Sequence, residues 1–199
     1  MRVRFSHVAA ASLVCAVALA QGPKVTRDTA TLSLDGKTVS VEYGRPSYKS
    51  SLGEGTFEDL LAKLPADRMW RAGANQVTTL ATEIDLVVGG TKVPAGKYSL
   101  YVHCAESGEY SLAINTVLGQ PLGQVWEAAP PELKEEPWPH FKYAEEIGDK
   151  EVARAPMKKA AASEPDDLFT ISLTGDAEGA LMTLSWGEHS WAIPLEVAK

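Results

Sequence analysis

The chain has 199 residues, with 19 Lys and Arg against 26 Asp and Glu and a formal net charge of −7. That length suits one domain, and the acidic balance excludes a basic nucleic-acid-binding surface as its organising feature. The N-terminus reads as a secretion signal: Arg2 and Arg4 form a basic start, Val8 to Leu19 an apolar stretch too short to span a bilayer, and Ala18-Leu19-Ala20 a signal-peptidase pattern. Cleavage after Ala20 would leave about 179 residues, with 17 basic and 26 acidic side chains and a charge of about −9. Cys15 would leave with the signal, so Cys104 stands alone and an internal disulfide is impossible. The expected product is an exported, periplasmic or extracellular domain over residues 21–199 with no transmembrane segment, held together by its core.

Period-two alternation dominates this domain, the mark of strands buried on one face. Leu32 and Leu34, then Val39, Val41 and Tyr43, flank Asp35-Gly36, a pair suited to a two-residue hairpin that sets Leu32 opposite Val39 and Ala30 opposite Val41. A short helix is predicted near 56–64, with Thr56 as cap, Asp59 three residues on, Phe57, Leu60, Leu61 and Leu64 at helical spacing, and Pro65 as terminator. From Val77, a strand carrying Leu80, Ile84, Leu86 and Val88 turns at Gly89-Gly90. Pro94-Ala95-Gly96 then leads into Tyr98, Leu100, Val102 and Cys104 on one face, and Tyr110, Leu112 and Ile114 return.

The prolines between Gly119 and Pro139 make that stretch a surface excursion. A weaker strand follows near Glu151 to Met157. The chain ends in three alternating runs, built on Phe169 to Leu173, Ala180 to Trp186 and Trp191 to Val197, with Pro194 placing the last at an edge or turning its nitrogen from the ladder. Roughly eight or nine short strands with one small helix predict an all-β, antiparallel β-sandwich, with a jelly roll or a partly open barrel as variants.

Two segments break the strand pattern and concentrate unusual chemistry: Glu42 to Lys49 and Arg68 to Asn75, each with cations, an aromatic residue and glycine at a strand end. The forks of Arg45 and Arg71 suit carboxylate, phosphate or sulfate groups, Trp70 offers a flat face to a sugar, and the Asn75 amide can orient a ligand. Glu42, Arg45, Trp70, Arg71 and Asn75 are therefore the candidate ligand-binding residues. The alternative is internal: an arginine paired with Glu42 or Asp67, and Trp70 plugging the end of the fold.

His103, His140 and His189 lack the spacing of metal ligands, and no nucleotide loop or serine-nucleophile elbow is present, so neither metal nor cofactor is expected. Cys104 has core parity, with His103 facing the other way. No catalytic residue is singled out, although a glycosidase-like pairing of Glu42 with a second carboxylate such as Glu83 or Asp85 stays open. Trp126, Trp138, His140, Phe141 and Tyr143 cluster in the excursion, where they either bind a glycan or protein partner or form a lid over the core.

Taken together, VSVEYGRPSYK at 39–49, WRAGANQVTT at 70–79 and VPAGKYSL at 93–100 resemble the bacterial family catalogued as domain of unknown function 2911 (DUF2911). The resemblance runs from about Val25 to the C-terminus and implies an exported, mostly β domain with no established activity. The functional expectation is a soluble exported protein that binds an anionic or glycan ligand through loops at one end of the fold. Its alternatives are a hydrolase built on Glu42 and a structural or protein-interaction module of the cell envelope.

Overall fold

A computed structural model of the chain describes residues 25–160 and 165–199; the secretion signal expected at 1–20 lies outside them. The first hairpin, β1 (Thr26–Leu34) and β2 (Lys37–Arg45), has the register that its turn dictates, with Leu32 opposite Val39 and Ala30 opposite Val41. Asp35 and Gly36 take φ values of 48° and 72°, the left-handed pair of a type I′ turn. Two short helices follow, α1 (Tyr48–Leu52), which the sequence did not reveal, and α2 (Phe57–Ala62). In α2 the Thr56 side chain accepts from the Asp59 N–H, and the Asp59 carboxylate accepts from the Thr56 N–H at 2.8 Å, a complete capping box.

The remaining strands are β3 (Met69–Trp70), β4 (Thr79–Thr82), β5 (Leu86–Val88), β6 (Thr91–Val93), β7 (Gly96–Cys104), β8 (Tyr110–Asn115), β9 (Gln120–Pro121), β10 (Pro137–Trp138), β11 (Glu151–Lys159), β12 (Asp166–Asp176), β13 (Gly179–Gly187) and β14 (His189–Val197). β9 and β10 pair only with each other, inside the excursion. The other strands form one antiparallel sheet in the order β1-β2-β4-β7-β8-β11-β14-β13-β12, with β3 on β7 and the β5–β6 hairpin on β14. Pairing is continuous because β11 runs along β8 through Met157 and then passes to β14 at Lys158 and Lys159. The strands therefore do not separate into the two sheets of a sandwich. The sheet curls until its edges β1 and β12 approach, giving a nearly closed, barrel-like arrangement.

Long-range pairing corrects one local expectation and decides between the two alternatives of another. The run from Val77 to Val88 is not one strand, because it breaks at Glu83–Asp85. There the Thr82 hydroxyl donates to the Ile84 carbonyl and accepts from its N–H, and Asp85 accepts from Ala95 N–H, so β4 stays with β2 and β7 while β5 leaves for β14. Pro194 lies in a central strand, in the stretch of β14 between its pairings with β11 and with β5, where that side of the ladder has no neighbour to serve.

The inward faces enclose one core that includes Val41, Leu100, Ile114, Phe169 and Leu184. A second, smaller core lies outside the barrel, where Tyr143 and Ile147 of the excursion pack on Met69, Val77, Tyr101 and Ala113. Asn115, fully buried, donates to the Tyr143 hydroxyl and the Ile147 carbonyl, tethering the excursion to β8. No helix among the described residues is long and apolar enough to cross a membrane.

The two motif segments meet as backbone. A Cβ on Gly44 would collide with the carbonyl of Ala74, and one on Gly73 would lie 2.9 Å from the Gly44 carbonyl oxygen. Gly44→Ala therefore forces β2 from the Trp70–Asn75 loop and should cost about 3 kcal/mol, measured as a fall in the urea midpoint at constant slope; an unchanged midpoint would show that the two segments are not pressed together.

Candidate functional site

The residues singled out in the sequence do not converge on one concavity. Glu42 faces outward, its carboxylate accepting from Arg27 Nε at 2.8 Å. Arg45 spans the gap between β2 and β12: Nε donates to the Phe169 carbonyl at 3.2 Å, Nη2 to Thr170 Oγ1 at 2.9 Å, and Asp28 and Asp166 lie at 3.4 and 3.7 Å. Asn75 holds a left-handed turn at φ 62°, a conformation asparagine tolerates. Trp70 and Arg71 are neighbours in sequence but, on an extended chain, point to opposite faces of the sheet. Trp70 enters the barrel and Arg71 lies outside it.

Trp70 leads to an apolar concavity inside the barrel. Inside the barrel its indole stacks on Trp186 with centroids 5.6 Å apart and meets Phe169 edge-on at 5.0 Å. Trp70 and Trp186, with Trp191 and Tyr110, wall a cavity of about 130 Å³ whose lining is almost wholly apolar. Cys104 lines it too, and α2 covers it by turning Phe57, Leu60 and Leu61 inward, with Leu64 just beyond its end. A six-residue helix has no stability of its own, so this lid stays in place through its contacts. Phe57 supplies the main one, stacked at 3.8 Å on His189, which itself stacks on Trp191.

Beside the lid runs an open groove of about 750 Å³ whose wall includes Phe57, Leu61, Tyr110, Met157 and Trp191, the side chains that also bound the cavity, so the two adjoin. Its rim is polar, with Glu58, Glu106, Glu109 and Lys159. Trp186 donates its indole N–H to the Pro46 carbonyl at 2.9 Å. The indole N–H groups of Trp70 and Trp191 have no acceptor among the described residues. The site can therefore hold an apolar or aromatic molecule.

The titratable groups here favour neutral forms. Burial pushes the Cys104 thiol up to about 12, only partly offset by Arg68, so it is no nucleophile at neutral pH. Burial likewise raises the Tyr110 phenol to about 12. His189, hydrogen-bonded to the Tyr48 hydroxyl at 3.1 Å, is held below the ordinary histidine value, chiefly by burial; Glu188 and Glu58 oppose the shift and Lys159 adds to it.

On the outer face, Arg71 lies under the excursion with its guanidinium carbon 5.5 Å from the Phe141 ring centroid, and burial lowers its pKa while Tyr101 opposes the shift. Of the other excursion aromatics, Tyr143 is core, Trp138 is half-buried, Trp126 and Phe141 are exposed, and His140 pairs with Glu146 at 2.7 Å. Among the described residues no cluster of three or more His, Cys, Asp or Glu side chains could hold a metal ion.

The lid helix and the inward parity of Cys104, Trp186 and Trp191 are legible in the sequence, but their convergence is not, because it depends on β3 pairing with β7 and on the curl of the sheet. The available signal was that three of the five tryptophans fall at strand ends with inward parity.

A family model described as "Protein of unknown function (DUF2911)" matches residues 25–195, and the chain belongs to that family. No curated protein and no solved structure matches it.

The lid should respond to acid. Because folding lowers the His189 pKa, the unfolded chain binds the extra proton first, so the stability conferred by neutral His189 is present above about pH 6.5 and is lost as pH falls through the folded-state value. Unfolding free energy measured against pH should fall on this limb in the wild type and fall less in His189→Gln; parallel curves would remove His189 from the account.

Proposed function

We propose that this member of the family is an exported binding protein that takes a small apolar or aromatic molecule into the cavity between Trp70, Trp186 and Trp191. The observation that carries this reading is the cavity of about 130 Å³ inside the sheet, aromatic-walled and covered by a capped helix beside an open groove. Apolar cavities on the order of 150 Å³ hold one benzene-sized molecule, so the occupant is a single ring or the branched end of a short chain, its polar part directed toward the groove. The anionic or glycan reading draws less support from the geometry, because Arg45 is engaged across the β2–β12 gap and Trp70 offers its face to the interior. The hydrolase reading draws less still: Glu42 is paired with Arg27 on the outer face, away from the concavity. An interaction role in the envelope is favoured by exposed apolar side chains on the excursion, among them Trp126, Leu133 and Phe141.

The binding reading is tested with toluene and p-cresol, followed by tryptophan emission. A bare ring should saturate with a dissociation constant on the order of 0.1–1 mM, p-cresol binding at least as tightly through its hydroxyl. Val102→Phe, which puts a ring into the cavity from β7, should abolish the response while leaving far-ultraviolet circular dichroism unchanged. A non-saturable response, or one equal in Val102→Phe, would refute binding at this site.

Export rests on Arg2, Arg4, the apolar run Val8 to Leu19 and Ala18-Leu19-Ala20. The intact mass of protein recovered outside the cytoplasm should match a chain beginning at Gln21, whereas an unprocessed cytoplasmic chain would contradict it.

A further inference from the structure

β3 sets Met69 opposite His103 and Trp70 opposite Val102. Continuing that antiparallel register brings Arg71 opposite Tyr101, on the face of the sheet turned away from the apolar cavity. Tyr101 is 1% exposed, and its ring meets Tyr143 edge-on at 4.7 Å beneath the excursion. Its hydroxyl oxygen accepts from the His140 backbone N–H at 3.0 Å, while its own proton reaches no described acceptor. Glu146, the carboxylate whose charge bears on Tyr101, is already held by His140 Nδ1 at 2.7 Å.

Arg71 has the same deficit. Arg27 is bound to Glu42, Arg45 to Phe169 and Thr170, Arg68 to the carbonyls of Cys104 and Leu61, and Arg154 to Glu151. Arg71 alone among the described arginines donates to nothing, although it is partly buried and stacked over Phe141. The Arg71 N–H groups still touch solvent, and a bound anion would replace water there and offset the partial burial of the guanidinium.

We propose that Arg71 and Tyr101 form a binding site for a small oxyanion on the outer face of the barrel, under the excursion. The guanidinium fork presents two parallel N–H donors to two oxygens of a carboxylate or phosphate, and the Tyr101 hydroxyl supplies a third hydrogen bond. The Phe141 ring lies against the guanidinium, 5.5 Å from its carbon to the ring centroid, a contact that leaves the in-plane N–H edge for an anion. The site shares no residue with the cavity, and the binding of apolar molecules stands or falls separately.

The test compares thermal unfolding in sodium acetate, sodium phosphate and sodium chloride at equal ionic strength for the wild type, Arg71→Gln and Tyr101→Phe. The wild type should gain stability in acetate, in phosphate or in both relative to chloride, and the responding anion identifies the class. Arg71→Gln should lose that gain, and Tyr101→Phe should weaken the apparent affinity about tenfold. A gain of equal size in Arg71→Gln would be general ion exclusion and would overturn the proposal, as would no gain in the wild type. A measurement that needs no variant is an amide titration by nuclear magnetic resonance. The His140 N–H, one bond from the site, should shift saturably with the responding anion, and its failure to move would equally overturn the site.

Discussion

The interior of this protein depends on how β2 is clasped to β12. A curled antiparallel sheet leaves two free edges, here β1 and β12, and the hydrogen bonds across the gap come mainly from side chains of β2, the strand next to the edge. The Tyr43 hydroxyl donates to the Ile171 carbonyl at 3.1 Å, and Arg45 donates to the Phe169 carbonyl and to Thr170. The Pro46 carbonyl accepts from both the Phe169 N–H and the Trp186 indole, each at 2.9 Å. The ion pairs of Arg45 with Asp28 and Asp166 are partly solvated and add little; the bonds to otherwise unpaired carbonyls carry the closure. Because Trp186 and Phe169 are fixed at this clasp, Trp70 has rings to stack on, and the aromatic wall of the cavity follows from how the barrel closes.

Alternation along β3 then divides the chemistry into two compartments. Met69 packs outward under the excursion, Trp70 enters the barrel, and Arg71 is outward again. The next turn is tight and strained: Ala72, fully buried, sits at φ 50°, and its carbonyl accepts from the Thr78 hydroxyl at 2.7 Å. This turn presses against Gly44 and so against the clasp itself. One short motif thereby links the closure, the inner cavity and the outer face.

What the sequence disclosed was local. The Asp35-Gly36 turn dictated the register of the first hairpin, the Thr56–Asp59 box marked the start of α2, and parity put Cys104 inside with His103 out. What it withheld was non-local. Arg45 at a strand end has the composition of a ligand-binding residue, and only the approach of β12, more than 120 residues away, gives it a structural occupation. The continuity of the sheet was hidden for the same reason, since β11 changes partners at Lys158 through pairings no short pattern encodes. Sequence adjacency also misrepresents the motif residues: Trp70 and Arg71 serve opposite faces of one strand.

The central claim is that closure of the sheet encloses an aromatic-walled apolar cavity beneath α2. Its most direct test is a crystal structure of the protein under xenon pressure. The account predicts xenon bound between Trp70, Trp186 and Trp191, with α2 in place above it. Side chains collapsed into that space, or ordered water filling it while xenon binds elsewhere, would contradict the account.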